Sequence, residues 1–134
     1  MTDAALHDRR GPPAGPVLGL TADLVFASRI RAAATAVGAT VHLTRSAEEL
    51  LARARETAPR LVLIDLDART ADPVEAIRRL RATPETAAVP IVAFGPHVSR
   101  EAIAAARDAG ATRVLARSAF VRELPALLAG PPAG

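Results

Sequence analysis

Strict alternation of short apolar runs with amphipathic segments most limits what this chain can become. Five runs stand at residues 17–20, 40–44, 61–66, 90–94 and 112–116, and Gly95-Pro96 is expected to break the fourth. A stretch of helical periodicity follows each of them. The helix signals are local. Asp23 opens a stretch that Gly38 stops, in the place after a helix that glycine favours. Ser46 and Glu49 form a capping box, and Pro59 ends the helix it starts. Asp72 as cap, Pro73 in the first turn and Glu75 at the third position start another. Ser99 caps a fourth, ended by Gly110. The last carries Phe120, Val121, Leu124, Leu127 and Leu128, with Pro125 expected to disturb it. Strands joined by helical crossovers run parallel, and right-handed crossovers place helices on both faces.

These rules predict an α/β fold: a doubly wound, five-stranded parallel sheet in flavodoxin-like order 2-1-3-4-5, with its crevice at the carboxyl ends of the strands. At 134 residues the chain suits one such domain. The domain is expected over 16–129. Residues 1–15 are polar and rich in Pro and Gly and are expected to be disordered; 130–134 read as a flexible tail. Half of the residues are hydrophobic, mostly Ala, Val and Leu, with three Phe and no Trp or Tyr. Small aliphatics suit helix-on-sheet packing better than a pocket for a large planar cofactor.

Composition also narrows function. There is no Cys, so disulfides, thiolate catalysis and Cys-based zinc sites are excluded. The three His lie far apart in sequence, which argues against a metal site. All seventeen basic residues are Arg, giving a net charge of +3. Fourteen acids are interspersed among them and base-stacking aromatics are scarce, so nucleic-acid binding is disfavoured and kept as a third reading. Charges interrupt every apolar run before membrane-spanning length. Residues 1–15 do not read as a signal peptide. The expected compartment is the cytoplasm.

In a sheet of this order, candidate site residues gather on the loops after strands 1, 3, 4 and 5. They are Thr21, Ala22 and Asp23; Asp65 and Asp67; Gly95, Pro96 and His97; and Arg117 and Ser118. Asp65 is the most informative. An acid closing a buried apolar strand is costly unless it is paired, metal-bound or exposed at the strand end. Two readings stay open from position alone: a phosphoryl-accepting carboxylate, or a strand-end Asp that pairs with an Arg or caps a loop. His97 is best read as a turn residue bonding to backbone; partner binding, pH sensing or a contact with Asp65 are the functional alternatives. His42 is expected on an edge strand, facing water. The first loop has no phosphate-binding glycine motif, and no G-x-S-x-G elbow occurs. Asp65-Leu66-Asp67 has the D-x-D shape of haloacid dehalogenases, but follows the wrong strand and has no Lys to serve it.

The stretch Pro59-Arg-Leu-Val-Leu-Ile-Asp65-Leu resembles the third strand of bacterial response-regulator receiver domains. Val89-Pro-Ile-Val-Ala-Phe94 resembles their fourth strand, and Ala109-Gly-Ala111 their last helix–strand junction. The likeness spans about residues 16–129. It implies that Asp65 stands where receivers accept a phosphoryl group from a histidine kinase. It also implies an acidic pair after strand 1 to hold Mg²⁺, a Thr or Ser ending strand 4, and a Lys after strand 5. This chain departs at each of these places. Thr21 and Ala22 stand for the acidic pair, or Asp23 for its second member if the register shifts by one. Gly95 replaces the hydroxyl, Arg117 the Lys, and Ser118 the Pro that usually follows it.

The resemblance with these departures implies a pseudo-receiver: a stand-alone, non-enzymatic signalling or adaptor module acting through protein–protein contacts. No resident cofactor is expected. Any Mg²⁺ would be weak and held by Asp23 and Asp65. Arg117 is expected to reach Asp65 as a charge-assisted pair. The expected partner is a histidine kinase or another signalling protein, and the helix 4–strand 5–helix 5 face is the expected contact or homodimer surface. No attached output domain is expected, so action would pass through another protein. The alternative is a working single-domain receiver phosphorylated on Asp65.

Overall fold

The computed structural model describes residues 15–68, 71–96 and 99–130. The expected tail at 1–15 lies outside these residues apart from Gly15, and the tail at 130–134 apart from Gly130. Ten main elements alternate: β1 (Val17–Leu20), α1 (Leu24–Val37), β2 (Val41–Thr44), α2 (Ala47–Thr57), β3 (Leu61–Asp65), α3 (Pro73–Ala82), β4 (Ile91–Gly95), α4 (Arg100–Ala109), β5 (Arg113–Ala116) and α5 (Arg117–Ala129). All sheet pairs are parallel and the order is β2-β1-β3-β4-β5, as the alternation predicts.

The pleat sorts side chains by parity. Leu18, Leu20, Val62, Ile64, Ile91 and Ala93 face one layer, made by α2, α3 and α4. Val17, Leu61, Leu63, Val92 and Phe94 face the other, made by α1 and α5. β3 is therefore buried on both faces, which is why its sequence reads as an unbroken apolar run. At Gly19 in β1 a Cβ would stand 2.6 Å from Leu43 Cδ2, so the Leu43 side chain would have to shift.

Most predicted caps form. The side chains of Asp23, Ser46 and Ser99 accept from Phe26, Glu49 and Ala102 N–H groups. The return bond of the expected capping box shifts by one residue, because Glu49 accepts from Arg45 N–H at 3.2 Å. Four expectations need correction. Asp72 does not cap α3: it sits in the left-handed region at φ 48°, without a side-chain cap bond. An N-cap carboxylate reaches the helix N–H groups from extended backbone, and the chain enters α3 differently. Gly95 does not break β4 but completes it, in register with Ala116 of β5. Pro125 does not interrupt α5. Its cost of about 3 kcal/mol in a helix interior is offset by Leu124 and Leu128, which are buried against the sheet on either side. His42 lies on edge strand β2 but is half-buried.

One arginine joins the α3 and α4 ends of the sheet. Arg81 Nε donates to Gly110 O at 2.9 Å, and its Nη1 to Val89 O at 2.6 Å and Ala87 O at 3.0 Å. This fixes the segment after α3, including a short 3₁₀ turn at Pro84–Thr86. Gly110 leaves room for it, since a Cβ there would fall 2.4 Å from Arg81 Cγ. Hydrogen bonds to charged groups contribute about 1.5–3 kcal/mol each, and some of this is screened because Arg81 is only partly buried. Arg81→Ala is therefore expected to destabilise the fold by about 2–3 kcal/mol. Arg81→Lys should recover only a fraction, since an ammonium cannot reproduce the planar fork. Urea denaturation of the three proteins checks this.

Candidate functional site

Parity brings the site together. Thr21 continues the series 17, 19, 21 of β1, and Asp65 the series 61, 63, 65 of β3. With Leu20 in register with Ile64, both reach the carboxyl edge on the same face. Thr21 Oγ1 donates to Asp65 Oδ2 at 2.8 Å, and Asp67 N–H donates to Asp65 Oδ1 at 2.9 Å. Asp65 is 2 % exposed and Thr21 4 %. Each carboxylate oxygen of Asp65 thus has a neutral donor. Of the two readings open from position alone, the loop-capping role is present: the bond to Asp67 N–H fixes the turn after β3, and Ala68 N–H adds a bond to Asp65 O at 3.1 Å.

The other candidates are placed around this pair. Ala22 is exposed. Asp23 N–H donates to Thr21 Oγ1 at 3.2 Å, while Asp23 Oδ1 accepts from Phe26 N–H at 3.0 Å. Its carboxylate is therefore engaged in opening α1. Asp67 contributes its backbone to Asp65. Gly95 ends β4 without a hydroxyl. Ser118 is exposed in the first turn of α5. His97 lies outside the described residues.

Arg117 departs from its expected role. Among the described residues no ion pair joins it to Asp65. Its guanidinium carbon lies 4.8 Å from the centre of the Phe26 ring, a cation–π contact. The reason lies in what surrounds it. The three phenylalanines of the chain converge here from α1, β4 and α5: Phe94 and Phe120 stack at 3.9 Å, with Phe26 5.2 Å and 5.8 Å from them. The ring of Phe26 gives the guanidinium an apolar platform, while Asp65 is already satisfied by Thr21 and Asp67. The sequence offered one signal for this cluster: three aromatic residues in a chain otherwise filled with small aliphatics.

The chemistry available follows from these partners. Mg²⁺ demands near-octahedral oxygen ligation, usually with one or two carboxylates. Among the described residues no group of three or more His, Cys, Asp or Glu side chains is gathered in any one place. At the Asp65 edge both carboxylate oxygens are engaged by donors, and the neighbouring acid serves α1. This donor set does not fit the divalent-cation site that the resemblance implies.

Solved structures share this architecture. Chemotaxis protein CheY4 of Vibrio cholerae superposes with a TM-score of 0.78 at 18 % identity, covering 87 % of this chain and 97 % of that one. A response regulator from Hahella chejuensis gives 0.77 at 18 %, covering 86 % and 92 %. A Chloroflexus aurantiacus protein described as a response regulator gives 0.75 at 24 %, covering 84 % and 92 %. The chain has the receiver fold of response regulators. No family model matches the sequence. No curated protein matches it either. Among the described residues of this receiver fold, no helix is long and apolar enough to cross a membrane.

Removing the Thr21 hydroxyl leaves a buried carboxylate oxygen without its donor, at a cost of about 1–3 kcal/mol. Thr21→Val is expected to destabilise the protein by that amount at neutral pH. In an Asp65→Ala background the same substitution should cost clearly less, with a coupling of at least about 0.5 kcal/mol between the two sites. A double-mutant cycle measured by denaturation reads it.

Proposed function

We propose that this protein is a receiver-like signalling or adaptor module that acts by protein–protein interaction, catalyses no reaction and is not phosphorylated in the usual Mg²⁺-dependent way. The observation that carries this reading is the bonding of Asp65: one carboxylate oxygen is held by Thr21 and the other by the Asp67 backbone. Besides its oxygen nucleophile, phosphorylation of a carboxylate needs a cation to neutralise the incoming phosphoryl group and a charge to stabilise it afterwards. Thr21 and Ala22 supply no carboxylate for the first cation, and Arg117 lies over Phe26. The receiver fold of chemotaxis and other response regulators supports a role in signalling.

The partner-facing surface in this reading is the one formed by α4, β5 and α5. β5 is an edge strand whose residues are exposed or half-buried. Arg113 Nη1 and Nη2 donate to Glu123 Oε1 and Oε2 at 2.8 Å and 3.2 Å, which ties β5 to α5 and stiffens that surface. The bond from Arg113 holds the Glu123 carboxyl below its ordinary range.

The alternative, a working receiver phosphorylated on Asp65, keeps one point in its favour: the acid stands at the carboxyl edge of the central strand. Incubation of the full chain with Mg²⁺ and acetyl phosphate, followed by intact mass, separates the two. No Asp65-dependent phosphoryl adduct is expected. An adduct formed by the native chain and absent from Asp65→Ala would replace the proposal with the alternative. Titration with DNA at low and moderate salt addresses the third reading: weak binding is expected, and a steep salt slope with appreciable affinity would favour a nucleic-acid role.

A further inference from the structure

We propose that the cleft between the first turn of α1 and the start of α5 is a binding site for a small organic anion with an apolar body, such as an aryl phosphate or aryl carboxylate. The cleft has a volume of about 650 Å³, within the range of about 300–1,000 Å³ typical of small-molecule sites. Asp65 is not among its lining residues, but Asp23, Arg117 and Ser118 of the candidate site are, so the cleft adjoins that site. Its walls combine two kinds of chemistry. Val25, Phe26 and Val121 are apolar; Arg29, Arg117 and Ser118 offer donors.

Three observations point to an anion. Arg29 and Arg117 both border the cleft, and among the described residues neither guanidinium forms an ion pair. The Nε of Arg117 is buried and has no hydrogen-bond partner among the described residues. A buried donor in a native fold ordinarily has an acceptor, and a guanidinium fixed on an aromatic face presents its remaining N–H groups in a planar fork suited to a carboxylate or phosphate. Among the described residues, Asp23 is the one acid on the wall. It is engaged by Phe26 N–H, and two arginines outweigh it. The apolar body is argued from the other side of the cleft. Val25 is 79 % exposed and the adjoining Leu24 71 %, at the rim beside Phe26. Large apolar side chains this exposed stand apart from the rest of the described surface and become covered when an apolar group enters.

This inference does not rest on whether Asp65 is phosphorylated, so it stands or fails independently of the proposed function. The test is titration of the ¹⁵N-labelled full chain at physiological ionic strength with phenyl phosphate, benzoate, inorganic phosphate and benzyl alcohol. Saturable shifts at Val25, Phe26, Arg117 and Ser118 amides are expected with phenyl phosphate or benzoate. Benzyl alcohol and inorganic phosphate should bind at least tenfold more weakly. Arg29→Gln, at an exposed position that leaves the core untouched, should weaken binding at least fivefold, and Arg117→Gln at least as much. Non-saturable shifts, shifts centred on other arginine-bearing faces, equal binding of the alcohol or of inorganic phosphate, or unchanged affinity in Arg29→Gln would each overturn the proposal.

Discussion

A carboxylate at the end of a strand buried on both faces is the constraint around which this molecule is arranged. An ionised acid withdrawn from water is costly unless its oxygens find donors. β3 delivers Asp65 to that position because its apolar run is flanked by β1 on one side and β4 on the other. The remedy here is local and neutral. Parity places the Thr21 hydroxyl beside one oxygen, and the turn after β3 folds back so that Asp67 N–H meets the other. Both donors belong to loops at the carboxyl edge. The acid that strains the strand end therefore also orders the segments that leave β1 and β3.

The same face of that edge is also organised by aromatic packing. Phe94 is in register with Asp65, so the strand position that brings the acid to the edge also brings a ring to the α1/α5 layer. Phe120 stacks on that ring and Phe26 closes the cluster from α1. Arg117 covers it. The guanidinium gives up an ion pair with Asp65 and gains an aromatic face, which is intelligible because a guanidinium is weakly hydrated and stacks well. A Lys at that position, with a compact and strongly hydrated charge, would have less to gain from Phe26.

The topology was legible in the sequence because alternation, parity and caps act over short distances. The run at 61–66 announced a buried central strand, and Ser46, Ser99, Gly38 and Gly110 marked helix ends that the structure shows. The failures share a different cause. Asp72 has the residue type of a cap, but capping depends on the backbone angle at which the chain enters α3, which composition does not fix. Pro125 is tolerated through burial of Leu124 and Leu128, a tertiary effect. Of the site, the list of candidates at the carboxyl edge could be written from topology. Which of them bond to one another could not. The pairing of Thr21 with Asp65 needs the register of β1 on β3, and the place of Arg117 needs three phenylalanines that stand 26 residues apart or more in the chain to meet. The roles of Arg81 and the 3₁₀ turn at Pro84–Thr86 were likewise invisible, because they bind carbonyl groups, and every residue has one.

The proposed signalling role needs two arrangements of comparable free energy, and an input shifts them only by the difference in its affinity for the two. At the Asp65 side the contacts are short, buried and mutually satisfied, and Gly95 offers no hydroxyl to follow a new ligand. A change there has to break a hydrogen bond to a buried carboxylate. The guanidinium on Phe26 is held differently. Moving Arg117 off Phe26 forfeits a cation–π contact of about 0.5–2 kcal/mol. Each hydrogen bond to the buried carboxylate is worth about 1.5–3 kcal/mol. The softer coordinate of this receiver fold is therefore the guanidinium on its aromatic face rather than the acid at the strand end. α5 begins with that same Arg117, directly after β5. A displacement of its side chain is thus felt first where the edge strand passes into the helix that it helps to cover.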